Sequence, residues 1–282
     1  MAMKRTLIAA LLLLLVAAAT ARALTVMPVH RWFIYDVNGK MIEQGGAYDE
    51  REAAALAVFG PGSTLKPFVL AAAVAGGLDP QTKYTCKPFP LTVPAEQRCW
   101  LAAGHGPVDL APALANSCSA YTRWAGRYVD ADRYRKLLVD LGFGERLPAK
   151  DTFRALGIEA WMGAAKGIAV TADDLARAYL TAFAEPPKIR LAGRAAIRRG
   201  LIECCLTGTG KTARRSSPML SIMGKTGTGH TLDGRQLGVF VGLTPVDKPT
   251  HAIVMLVRDN DGMMAAQMGG DRLTTWLNRP GR

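Results

Sequence analysis

Residues 58–74 read VFGPGSTLKPFVLAAAV, and the reading of the chain turns on whether Ser63 and Lys66 open a working helix or merely rim an ordinary one. Positions i and i+3 share a helix face, so the lysine would give the serine a base within hydrogen-bond reach, which a serine nucleophile requires. Pro61 and Gly62 suit a tight entry turn that places Ser63 at the helix N-terminus, where free backbone N–H groups and the helix dipole favour a developing negative charge. The apolar run continues to Ala75, and GGLDP ends it. For Lys66 to accept a proton near neutral pH, burial or a second cation must lower its pKa, so a second lysine is expected nearby. The spacing alone is weak: with 6 serines and 12 lysines, roughly one chain in four of this kind would show it by chance.

Upstream, HRWFIYDVNGKMIEQGG (30–46) alternates apolar and polar residues on both sides of Asn38-Gly39, a pair whose preference for positive φ predicts a two-stranded hairpin. Downstream, residues 79–108 are rich in proline and polar residues and read as irregular connection. Helical signals then run to about residue 205. DADRYRKLLVDLGFGE (130–145) sets Tyr134, Leu137, Leu138 and Leu141 on one face, and TADDLARAYLTAFA (171–184) opens with Thr171 and Asp174 at capping-box spacing. MLSIMGKTGTG (219–229), QLGVFVGLTP (236–245) and HAIVMLVRD (251–259) read as three strands, and DRLTTWLNR (271–279) as a closing helix. The expected fold is α/β of the α+β kind: an antiparallel sheet built from both ends of the chain and flanked by helices, with an inserted all-helical lobe.

Composition bounds the class. With 49% hydrophobic and 21% charged residues, the 282-residue chain has a globular composition and enough apolar residues for a sizeable core. Lys4 and Arg5, the run LIAALLLLLVAAA (7–19) and the small-x-small Ala21-Arg22-Ala23 read as an export signal cleaved after Ala23, because an apolar run of 13 residues is short of the ~20 that span a bilayer. A signal peptide at 1–23 and one domain at 24–282, exported to the periplasm or cell envelope, are therefore expected, with no space for a further catalytic module. The net charge of +12 falls to +9 without Lys4, Arg5 and Arg22. Nucleic acid is not the expected partner, since the exported chain would meet cell-wall polymers and lipid head groups, and its arginines are not interleaved with aromatics. Five cysteines are an odd number for a compartment that permits disulfides; Cys86 with Cys99 is the expected bridge, stapling the Pro-rich segment between them. No CxxC or HxxxH spacing occurs and the four histidines are far apart, so no metal site is expected.

Two further elements join the Ser63/Lys66 pair. ANSCSAY (115–121) presents the hydroxyls of Ser117 and Ser119 within the helical lobe, and MGKTGTG (223–229) presents Lys225 on a strand beside glycines. A strand glycine such as Gly227 often marks the close approach of a ligand or another backbone. Lys225 would be the second cation, Thr226 and Thr228 would offer hydroxyls to a carboxylate, and the strand edge would bind a peptide-like substrate. S-x-x-K with K-T-G belongs to the motif set of serine β-lactamases and penicillin-binding proteins. The sequence resembles the transpeptidase domain of penicillin-binding proteins over nearly all of the mature chain, through PGSTLKPF (61–68), RCWLAAGHGPVDLAPALANSCSAY (98–121), LGFGE (141–145), GIAVTADDLARAYL (167–180) and GKTGTG (224–229).

The resemblance implies acyl transfer on peptidoglycan stem peptides, with β-lactams as covalent inhibitors, no cofactor, and other cell-wall proteins as partners. It makes Ser63 the acylated nucleophile, Lys66 its base, Ser117 a proton relay to the leaving amine and Lys225 the group that tunes both and attracts the substrate carboxylate. The backbone N–H groups of Ser63 and Thr228 would form the oxyanion hole, with Ser119, Thr226, Gly227 and Thr228 binding substrate. One position departs from the family: the second motif usually ends in asparagine, and here Ser119 stands there, shorter and without an amide. A serine β-lactamase and a non-catalytic relative that binds wall peptides or β-lactams are the alternative readings. Of the remaining features, GTGKT (208–212) reads as a turn rather than a phosphate loop, His105 as structural and Cys118 as a small buried filler, while Cys204 and Cys205 receive no role.

Overall fold

A computed structural model describes residues 27–89 and 98–280; the expected signal peptide lies outside the described residues. In chain order the elements are β1 (His30–Asp36), β2 (Met41–Ala47), α1 (Glu50–Ala55), a 3₁₀ turn (Gly62–Leu65), α2 (Lys66–Ala75), β3 (Tyr84–Cys86) and β4 (Gly106–Val108). The helical lobe follows: α3 (Leu110–Ala115), α4 (Ser119–Ala125), α5 (Ala131–Leu138), α6 (Lys150–Trp161), α7 (Ala172–Phe183) and α8 (Arg194–Leu206). β5 (Met223–His230), β6 (Gln236–Thr244), β7 (His251–Arg258) and α9 (Gly262–Leu277) close the described chain.

The sheet order is β2-β1-β7-β6-β5, antiparallel throughout, so N- and C-terminal strands meet at the β1–β7 pair. Gly39 sits at φ +79° in the hairpin turn, as expected. The Pro-rich stretch is less irregular than expected, because β3 and β4 pair Tyr84 with Val108 and Cys86 with Gly106. Successive strand residues project to opposite faces. Ala252, Val254 and Leu256 join Phe33, Tyr35, Val239 and Val241 beneath the helical lobe, whereas Ile253, Met255 and Val257 join Trp32, Ile34 and Phe240 beneath α9 and its Trp276. A sheet covered on both faces needs apolar residues at nearly every position, which is why β6 and β7 read as continuous apolar runs.

α9 begins nine residues before the helix expected from DRLTTWLNR, capped by Asp261, whose carboxylate accepts from the N–H groups of Met263 and Met264. Gly269-Gly270 argues against a helix by about 1 kcal/mol per glycine. Close approach explains both: a Cβ on Gly269 would lie 3.0 Å from the Phe240 ring, and one on Gly270 would overlap the Ala213 carbonyl.

α2 is the central post of the helical side. Its residues from Lys66 to Ala73 are all buried, and the Phe68 ring meets Phe143 and Tyr179 edge-on at 6.0 and 5.3 Å. The Tyr179 hydroxyl, on α7, donates to the carbonyl of Thr64 at 2.7 Å, tying the 3₁₀ turn to the lobe. α7 itself starts with the expected capping box of Thr171 and Asp174.

Candidate active site

Ser63 lies in the 3₁₀ turn and not, as expected, in the first turn of an α-helix, which starts at Lys66. A 3₁₀ turn has three residues per turn and sets i and i+3 on one face, yet the hydrogen-bond partners of the Lys66 amine are Ser117 and Ser119 and not Ser63. Gly62 enters the turn at φ +57°, with room for no side chain: a Cβ there would lie 2.7 Å from the carbonyl carbon and oxygen of Thr228. On the opposing strand a Cβ at Gly227 would come 2.7 Å from the Pro61 carbonyl and 3.2 Å from the Ser63 nitrogen. The Ser63 turn and the middle of β5 are thus pressed backbone to backbone, with the Thr228 nitrogen 2.8 Å from a Cβ placed on Gly62.

Lys66 is 1% exposed. Its amine is 2.7 Å from the Ser117 carbonyl, 3.0 Å from the Ser119 hydroxyl and 3.4 Å from the Ser117 hydroxyl. Ser117 turns its carbonyl inward by adopting φ +54°, a left-handed conformation uncommon for serine. Ser119, the departure from the family pattern, still reaches Lys66 directly from the first residue of α4. The Ser63 hydroxyl makes no hydrogen bond among the described residues and lines a cleft of about 310 Å³ with Ser117, Ser119, Thr226, Gly227 and Thr228. Burial, and then the field of Lys225, push the Lys66 pKa down to about 7.

Lys225 is fully buried, and its amine donates to the Thr226 carbonyl at 2.9 Å. Burial lowers its pKa, opposed by the nearby thiols of Cys204 and Cys205. Buried and not among the residues that line the cleft, it acts on Lys66 through its field. The cleft wall on this side is made of hydroxyls. Thr228 Oγ1 accepts the Gly262 N–H at 3.3 Å, and Thr226 Oγ1 lies 2.6 Å from Thr209 Oγ1. Sequence reading missed Thr209 and also Trp100, whose indole N–H donates to the Asn116 carbonyl at 2.8 Å while the ring lines the cleft at 54% exposure. The glycines around Thr209 carried a signal, read only as a turn.

Behind the second motif the expected Cys86–Cys99 bridge is absent; both thiols are free. Cys118 is no mere filler, because its sulfur caps α4 by accepting from the Tyr121 N–H at 3.4 Å. Cys86, Cys99, His105 and Cys118 come together with their donor atoms all within 4.8 Å of one another. His105 Nδ1 is 3.6 Å from Cys86 Sγ and 3.4 Å from Cys99 Sγ, and the Cys99 and Cys118 sulfurs are 3.9 Å apart. A tetrahedral zinc site has S···N and S···S edges of about 3.6 and about 3.8 Å, so these four residues would hold zinc as a closed Cys₃His structural site. Sequence spacing gave no sign of this donor group: the donors are spread over residues 86–118, and the β3–β4 pairing and the start of α4 gather them. Such an ion would brace Ser117 and Ser119 through Cys118. Elemental analysis of the purified chain is expected to find about one zinc per molecule, lost in Cys99→Ala, together with a melting temperature lower by several degrees.

A family model described as the penicillin binding protein transpeptidase domain matches residues 34–275. The chain is 25% identical to the peptidoglycan D,D-transpeptidase MrdA of Acinetobacter baumannii, over 78% of this chain and 42% of that protein, so it spans less than half the length of this relative. Among solved structures, the D,D-transpeptidase domain of a peptidoglycan glycosyltransferase from Eggerthella lenta superposes with a TM-score of 0.71 at 19% identity, over 91% of this chain and 79% of that one. A penicillin-binding protein (PBP2) from Helicobacter pylori, in complex with MreC, superposes with a TM-score of 0.69 at 18% identity, over 89% and 60%. With the family model covering most of its length, the chain belongs to the penicillin-binding protein transpeptidase family.

Proposed function

We propose that the chain is a D,D-transpeptidase or D,D-carboxypeptidase that acylates Ser63 with peptidoglycan stem peptides and is inhibited covalently by β-lactams. The observation that carries this is Lys66: a buried amine brought to a pKa of about 7, three residues from the cleft-lining Ser63 and in contact with both serines of the second motif. In its neutral form Lys66 takes the Ser63 proton as Ser63 Oγ attacks the scissile carbonyl. The Ser63 and Thr228 amides hold the oxyanion, each worth on the order of 3 kcal/mol. The C–N bond then breaks as the proton passes through Ser117 to the leaving amine, and an amine or water finally takes the acyl group from Ser63.

The family to which the chain belongs supports a penicillin-binding enzyme over a β-lactamase. Among the described residues Asp261 is the acidic side chain that lines the cleft, and its Oδ1 accepts from the N–H groups of Met263 and Met264. Export, read from Lys4 to Ala23, would place the protein beside its polymer substrate in the cell envelope. Cell-wall proteins are proposed as partners by likeness to the Helicobacter pylori complex.

Mass spectrometry of the chain after incubation with penicillin tests the proposal. A penicillin adduct on the peptide carrying Ser63, stable for many minutes, is expected. Rapid loss of the adduct would make the protein a β-lactamase, and absence of any adduct would leave a binding protein.

A further inference from the structure

Thr209 lies in the turn 207–210 after α8, and its surroundings are more constrained than a connecting turn needs. Its N–H donates to the Ala115 carbonyl at 3.1 Å, joining the turn to the end of α3, just before the second motif. A Cβ on Gly208 would overlap that same carbonyl, and one on Gly210 would lie 3.1 Å from Cys204 Sγ. The backbone is therefore held from both sides, and the Thr209 hydroxyl is delivered to the cleft wall 2.6 Å from the Thr226 hydroxyl. Two weaker acceptors stand behind it: the Ala115 carbonyl at 3.4 Å and Cys204 Sγ at 3.6 Å.

A hydroxyl has one proton and two lone pairs, so only one member of the Thr209–Thr226 pair can donate to the other. If Thr226 donates to Thr209, Thr209 turns its own proton back to Ala115 or Cys204, and Thr226 shows only lone pairs to the cleft. If Thr209 donates to Thr226, the Thr226 proton is released toward the cleft. A carboxylate accepts only, and it selects the second arrangement. Thr228 is already suited to donate, because its oxygen accepts from the Gly262 N–H.

The geometry points to Thr209 as a positioning residue that turns the Thr226 hydroxyl into a donor for the free carboxylate of the substrate or of a β-lactam. The inference rests on the acyl-enzyme reading above and adds to it a residue outside the three motifs. No atom of Thr209 takes part in bond making; it sets which way one proton points.

The test compares acylation rates of the full chain by penicillin and by penicillin methyl ester, which lacks the charge. Thr209→Val keeps the shape and removes the hydroxyl; it is expected to slow the acid about tenfold and leave the ester within about twofold of wild type. Thr209→Ser restores the donor and should return the acid rate to within about threefold. Equal slowing of acid and ester would show a merely structural role and overturn the inference, as would an unchanged acid rate in Thr209→Val or a failure of Thr209→Ser to rescue. A Thr209→Val chain without a cooperative melt would be replaced by Thr209→Ala, where the same acid-to-ester ratio decides. If wild type takes no label from either compound, the acyl-enzyme reading fails and takes this inference with it. Wild-type labelling with no change in the ratio sinks the inference alone.

Discussion

Acylation by penicillin is expected to fall about 10³-fold when Lys66 is replaced by alanine, within the range that a positioned general base contributes. Lys66 is buried with its amine on the Ser117 carbonyl and the Ser119 hydroxyl, and alanine removes the only amine among those contacts. The pH dependence carries the sign. The base is the uncharged amine, and burial followed by Lys225 has moved its pKa from the ordinary lysine range down to about 7. The wild-type rate should therefore rise about tenfold per pH unit below pH 7 and level off above it. Lys225→Met removes one of the two depressing influences, so the midpoint should move upward while the plateau persists. Stopped-flow labelling across pH 5–9 measures both, and a rate that is flat with pH or a Lys66→Ala variant as fast as wild type would remove Lys66 from the mechanism.

Gly62→Ala should be nearly as damaging without touching a reactive group. The residue sits at φ +57°, where an alanine costs about 1–3 kcal/mol of strain, and its Cβ would stand 2.7 Å from the Thr228 carbonyl. β5 cannot retreat easily, because Thr226 pairs with Phe240 and Thr228 with Gly238 across the ladder to β6. The turn must move instead, carrying the Ser63 amide away from that of Thr228. Loss of one oxyanion donor reduces rates about 10²–10³-fold, so a folded variant with acylation slowed by at least about a hundredfold is expected. Melting temperature and labelling rate measured together separate this from unfolding. A Gly62→Ala variant that labels at the wild-type rate would mean that the two amides do not act as a pair.

Local sequence carries much of this architecture. The Asn38-Gly39 turn, the capping box at Thr171 and Asp174 and the apolar strand runs of β6 and β7 are written within a few residues, and the structure has them where the sequence put them. Where close packing overrides propensity, reading fails. Gly269 and Gly270 look like a break and lie inside α9, and the supposed first α-helical turn at Ser63 is 3₁₀, since Gly62 must pass beneath Thr228.

The residues of the proposed site were thus legible in the chain itself: Ser63, Lys66, Ser117, Ser119 and the Lys225 to Thr228 strand carry their chemistry in their side chains and their spacing in the motifs. Distance across the fold was not. That Ser119 reaches Lys66, that Lys225 lies under the cleft wall and not in it, that Thr209 meets Thr226, and that Cys86, Cys99, His105 and Cys118 share one small volume are outcomes of packing α3, α4 and α8 against α2 and β5. The reason is physical: hydrogen bonds and turns are chosen by neighbours along the chain, whereas the pKa of a buried amine and the closure of a four-donor cluster depend on which remote segments exclude water together.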